Sequence, residues 1–149
     1  MALMGISKFE RFFRTAAGVD VDKNDLKRYS DFVFDEIYDL LIMGQATASA
    51  NGRDVMERHD LPITKGLQER IHEFEKIDQE LDLAPILDHL AARPQLDVAL
   101  SDDTEAHLPA ISGGISVALA RSFRIIDTGV TNPAASHWER AFQLFDLLL

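Results

Sequence analysis

Apolar residues recur along this chain at helical spacing, in blocks separated by polar, Gly-bearing or Pro-bearing breaks. In the first block Phe9, Phe12, Phe13, Ala16 and Ala17 fall at i, i+3, i+4, i+7 and i+8, one face of a helix. Ser7 followed by Glu10 has the spacing of a capping box, which satisfies the orphan amides of a helix start. Gly18 supplies the stop. Val19 to Asp22 reads as a short extended loop, after which Asp22 or Asn24 can cap the next helix.

The longest helical block runs from about Asn24 to Asn51, roughly 40 Å at 1.5 Å per residue. Leu26, Tyr29, Val33, Ile37, Leu40, Leu41 and Gly44 form its stripe, and Phe34, Tyr38 and Ile42 widen it. So broad an apolar surface predicts burial on more than one side. Gly52 ends the helix, a short loop follows, and Asp60 is expected to open the next helix, with Pro62 tolerated in its first turn. Leu61, Ile63, Leu67, Ile71 and Phe74 make that helix's apolar face.

A fainter copy of the same order follows. Ala84 to Ala92 is a short helix carrying Ile86, Leu87 and Leu90, and Gln95 to Leu100 alternates like an extended loop. Ser101 can cap a long helix to about Ile126, in which Pro109 predicts a kink or a delayed start. Asp127 to Pro133 is a turn-rich break. Ser136 with Glu139 has capping-box spacing before Trp138, Ala141, Phe142, Phe145 and Leu148. The apolar end, Phe142 to Leu149, is read as ordinary core in preference to a docking surface.

Short, long and short helices in that order, twice, resemble two tandem histone folds. The chain is similar to a double histone-fold family of uncharacterised bacterial proteins and, more distantly, to archaeal histones. The resemblance implies an all-α chain with a first fold over residues 1–76 and a second, diverged one over 77–149. Together they would pack as one compact domain, an intramolecular pseudodimer. Arg53 and Asp60, seven residues apart, match the family's clamp, a charge pair holding the second loop against the third helix; a guanidinium and a carboxylate can bond bidentately. The matching positions of the second half, Val130 and His137, leave that clamp missing there. Ser112-Gly113-Gly114 would let the two long helices cross closely, small residues being costly in a helix without such a reason.

Charge complicates the resemblance. The chain of 149 residues carries a formal net charge of −10, with excess acid in both halves. Phosphate contacts supply most nucleic-acid affinity, so the overall field opposes DNA. Where archaeal histones carry an Arg-Lys-Thr run in the second loop, this chain has Arg53-Asp54-Val55, and its first loop is acidic. Asp97, Asp102 and Asp103 lie near the first loop of the second half, and residues 128–136 hold no cation. A local patch remains: Lys8, Arg11 and Arg14 on the first helix, Lys23, Lys27 and Arg28 at the start of the long one, and Arg53 and Arg58 in the second loop.

Other chemistry is thinly represented. Five scattered histidines show no metal-ligand spacing, and phosphate loops and nucleophile elbows are absent. No catalytic residue, metal or cofactor is therefore expected. The absence of cysteine fits a reducing cytoplasm, and no apolar run reaches the roughly 20 residues of a membrane span. The narrowly favoured reading is a non-enzymatic, nucleoid-associated DNA-binding protein of weak, salt-sensitive, non-wrapping type. The alternative is an acidic protein-interaction module. Double-stranded DNA and another protein are the candidate partners of a monomeric pseudodimer, with weak further oligomerisation and no membrane.

Overall fold

The computed structural model describes residues 2–149. Helices α1 (Ile6–Ala17), α2 (Leu26–Ala50) and α3 (Lys65–Lys76) are followed by α4 (Leu83–Ala91), α5 (Asp102–Ile126) and α6 (Ala135–Leu148). Two-residue strands β1 (Val55–Met56) and β2 (Ala99–Leu100) are the only strands among the described residues. Short, long and short helices thus occur twice in order.

The helix stops follow the sequence closely; several starts do not. Gly18 takes a left-handed conformation with φ 66° at the end of α1, and Gly52 does so with φ 71° after α2. Asp22 Oδ1 accepts the Asn24 amide at 3.3 Å and Asp25 Oδ2 accepts the Asp22 amide at 3.0 Å, around a 3₁₀ turn that leads into α2. Ser7, however, lies inside the first turn of α1, because Gly5 already occupies the capping position without a side-chain bond. Asp60 closes a separate 3₁₀ turn (Arg58–Asp60) and does not open α3. That helix starts after Thr64, whose hydroxyl accepts from the Leu67 amide at 3.1 Å, so Pro62 lies ahead of the helix and outside its first turn. Ser101 caps α5 through the Thr104 amide, and Pro109 neither delays nor ends that helix. For α6 the expected Ser136–Glu139 box is absent: Ala134 is the capping residue, and its amide donates to His137 Nδ1 at 2.9 Å.

The halves meet head to tail. β1 pairs with β2 in parallel, Val55 against Ala99 and Met56 against Leu100, so the second loop of the first half joins the first loop of the second. At the other end the Asp20 amide donates to the Thr131 carbonyl at 2.7 Å, joining the remaining two loops. Between these junctions α2 and α5 cross. The buried Tyr29 hydroxyl meets Ser116 Oγ at 2.7 Å, and Ser116 in turn donates to the Ser112 carbonyl. Both of these buried hydroxyls therefore have partners at the crossing, which the cost of an unpaired one requires. The arrangement is all-α and histone-like: two tandem short–long–short units packed as an intramolecular pair.

Gly113 and Gly114 allow a close approach, and the nearest neighbours at both positions belong to α3. A Cβ on Gly113 would sit 2.3 Å from the Phe74 ring, and one on Gly114 would sit 2.5 Å from Ile71 Cγ1. The third helix of the first half needs that space to lie along α5. Every residue from Ile111 to Val117 is consequently buried. Phe9, Phe13, Tyr29, Phe123 and Trp138 form an aromatic centre with ring centroids 4.8–6.3 Å apart. Farther along α6, Phe142 stacks on Phe32 at 4.5 Å. The last turn is a correction to the core reading: Leu147 and Leu148 are 80% and 74% exposed. No helix of the described residues is long and apolar enough to cross a membrane.

Candidate functional site

Each half fastens its second loop with polar side chains, by a charge pair in the first half and by a histidine–aspartate hydrogen bond in the second. In the first half Arg53 donates from Nη1 to Asp60 Oδ2 and from Nη2 to Asp60 Oδ1, both at 2.6 Å. Asp60 also accepts the Glu57 amide at 2.8 Å. Its carboxylate is fully buried while Arg53 keeps a third of its side chain in solvent. The guanidinium, with the Glu57 amide, holds the Asp60 carboxyl well below the usual carboxylate range.

The second half has a fastening of its own, which the sequence reading missed. His137 Nε2 lies 3.1 Å from Asp127 Oδ2. Because Nδ1 accepts the Ala134 amide, it carries no proton in this arrangement, and Nε2 is the donor toward Asp127. The acid at the end of α5 is thereby tied to the first turn of α6, and the His137 bond lowers the Asp127 pKa. Val130, the position matched to the clamp arginine, is simply buried. A signal was present in sequence: an acid ending one helix and a histidine opening the next. A second missed residue is Arg124, whose Nε and Nη2 donate to the Ala17 and Gly18 carbonyls at 3.0 and 2.8 Å. It caps the end of α1 from the other half, where a cation is favoured by the exposed carbonyls.

The eight candidate cations do not form one free basic surface. Lys8 donates to the Glu80 carbonyl. Arg14 pairs with Asp20 at 3.2 Å, Lys27 with Asp31 at 2.6 Å and Arg28 with Asp25 at 3.6 Å. Arg53 is committed to Asp60, and Arg58 lies 3.6 Å from Asp103 and 3.3 Å from His107 Nε2. Arg11 and Lys23 are exposed and have no ion-pair partner among the described residues. Exposed pairs are worth little and can exchange partners; the buried acid at Asp60 cannot release Arg53 without being left unpaired.

Acid dominates what surrounds them. Asp20 and Asp22 flank one junction; Asp54, Asp97, Asp102 and Asp103 flank the other, all exposed. Between α2 and α6 an open groove of about 530 Å³ is lined by Asp31, Asp35, Glu36, Asp39 and Asp146, with Arg28 the one cation of its lining. Burial, then Asp39 and Asp146, push the Glu36 carboxyl up to about 7. No group of three or more histidines and carboxylates among the described residues is placed to hold a metal. The histidines serve locally: His89 stacks on Phe34 with ring centroids 4.5 Å apart, and His137 holds its loop.

Known proteins align with this whole arrangement. A family model described as a domain of unknown function, DUF1931, matches residues 9–146. An uncharacterised protein of Aquifex aeolicus strain VF5 is 28% identical over 142 residues, 95% of this chain and 82% of that protein. Among solved structures, a Thermus thermophilus protein is 50% identical with a TM-score of 0.95, covering 99% of both chains. An Aquifex aeolicus crystal structure is 26% identical with a TM-score of 0.82, covering 99% of this chain and 97% of that one. The histone from Methanopyrus kandleri is only 13% identical, yet superposes with a TM-score of 0.62 over 91% of this chain and 90% of its own. At that identity the likeness is one of fold.

Proposed function

Since the chain belongs to the DUF1931 family, we propose that it is a non-enzymatic histone-fold protein that works as an acidic assembly module, docking protein and not wrapping DNA. One observation carries this reading. At both loop junctions, where the resemblance to archaeal histones calls for cations, the exposed charged side chains are mainly carboxylates, and Arg53 and Arg58 are turned onto Asp60 and Asp103. A net charge of −10 works the same way at longer range. Division into a first fold over 1–76 and a second over 77–149, acting as one unit, is part of the proposal. The two loop junctions and the α2–α5 crossing support it.

Weak association with double-stranded DNA is the second reading, and Arg11 and Lys23 favour it. They are exposed and without an ion-pair partner among the described residues, and Lys8, Arg14, Lys27 and Arg28 stand nearby in sequence on exchangeable contacts. A titration of short duplex DNA at low salt separates the two. The assembly reading expects no retardation. Retardation that the Arg11→Glu, Lys23→Glu double variant abolishes would overturn it, and the salt slope, about 0.9 per phosphate, would count the contacts.

A further inference from the structure

Three helices leave an apolar groove of about 490 Å³ open to solvent. Its base is Leu67 of α3 with Ala118 and Ser122 of α5, and its walls are Ile125, Leu144 and Leu148. Ala118, Ser122 and Ile125 recur at i, i+4 and i+7, so a second stripe of α5 faces outward here. Ile125 is 80% exposed. Leu67 belongs to the core, but Ile125, Leu144 and Leu148 do not, and such a concentration of exposed leucine and isoleucine is what soluble chains ordinarily avoid.

Charge identifies the occupant. A net charge of −10 makes two copies of this chain repel each other at long range. In the groove the only charged side chains of the lining are Arg70 and Arg121; Arg70 lies 3.2 Å from both Glu69 and Glu73, and Arg121 lies 2.7 Å from Glu73, so two carboxylates balance the two cations. Two copies can therefore approach this face without like-charge repulsion, whereas the acidic α2–α6 groove would oppose them. Size agrees: Ile125, Leu147 and Leu148 are 80%, 80% and 74% exposed. At exposures of this kind the three side chains, mirrored by a second copy and extended by the rim, would bury on the order of 1,000 Å², the lower end of a specific interface. The face also carries both a hollow and ridges, so one two-fold axis can seat each copy's ridge in the other's hollow.

We infer that this groove is the contact between two copies of the chain, with Ile125 and Leu148 of each entering the groove of the other. The inference rests on the assembly reading and names its partner. Sedimentation velocity on the full chain, from micromolar to millimolar concentration, tests it. Wild type should form a dimer. Ile125→Glu with Leu148→Glu should weaken the dimer about a hundredfold or more, since each charge would be buried unpaired, with the circular dichroism spectrum unchanged and the melting midpoint unchanged at concentrations where both proteins are monomeric. Leu148→Met should still dimerise. A wild type that stays monomeric throughout, or a double variant that dimerises as tightly, overturns the inference. A monomer that retards DNA would remove the assembly reading as well, whereas a monomer that does not would remove only the choice of a second copy.

Discussion

Between α2 and α3 the chain is held by Arg53 and a buried Asp60, two formal charges joined by paired hydrogen bonds. Between α5 and α6 it is held by Asp127 and His137, with the imidazole also accepting a backbone amide. Both fastenings stop a loop next to a helix start, yet the first depends on charge and the second on a lone pair and a proton in the right places. A similar divergence separates the long helices. Gly44 of α2 faces the tips of Met56 and Leu61, while Gly113 of α5 lies against the face of the Phe74 ring. Two halves of one plan can thus keep the backbone arrangement while exchanging the side-chain chemistry that enforces it.

The glycines give the largest expected contrast. Gly113→Ala should cost about 2–3 kcal/mol in denaturant unfolding, because the ring of Phe74 has no flexible end to withdraw. Gly44→Ala should remain within about 1 kcal/mol of wild type, the helix gain of alanine offsetting a shift of the Met56 thioether. Equal effects would mean that α3 can slide along α5 and that the difference between the helices is cosmetic.

Next comes the charged loop. Asp60→Ala leaves Arg53 and the Glu57 amide without their acceptor, and the thermal midpoint should fall by several degrees. Asp60→Asn isolates the charge. The folded-state pKa lies below the ordinary 3.8, so the stabilisation is complete above that value and is lost as pH falls through the depressed one. The gap between wild type and Asp60→Asn should stay constant from about pH 5 to pH 8 and close only in strong acid. A gap that changes across neutral pH would assign it to another group.

The smallest effects belong to the histidine loop. His137→Ala should cost about 1 kcal/mol, one hydrogen-bonded relay at a partly exposed site. Asp127→Asn, which keeps an acceptor for Nε2, should move the midpoint by no more than about a degree. If Asp127→Asn matched Asp60→Asn, the second loop would be a charge clamp after all.

Much of the fold was legible because helical period and glycine stops are local properties. The six helices, the break at Gly18 and the stop at Gly52 needed only the spacing of Phe, Leu and Ile and the two glycines. The helix starts at α1, α3 and α6 were less legible, since Ser7, Asp60 and Ser136 all sit in plausible capping spacings and the entering backbone chose between them. The acid in the loops could be counted directly. Its consequence for Arg58 could not, because Asp103 and His107 come from the other half. The apolar end of α6 misled for a simple reason: an i, i+3, i+4 pattern does not say how far the underlying core extends.

The pairing of Arg53 with Asp60 came from the resemblance to histone folds; spacing and composition alone were enough for the helical class, the twofold short–long–short order and the acidity of both loop regions. Those depend on interactions within a few residues or on charge summed over the chain. Folding in three dimensions settled the rest: that Gly113 and Gly114 make room for α3, that Arg124 caps α1, that His137 replaces the missing clamp, and that Ile125 and Leu148 are left in solvent. Each is a meeting of surfaces distant in sequence or a boundary of the core, and no local pattern encodes which surface a helix will face.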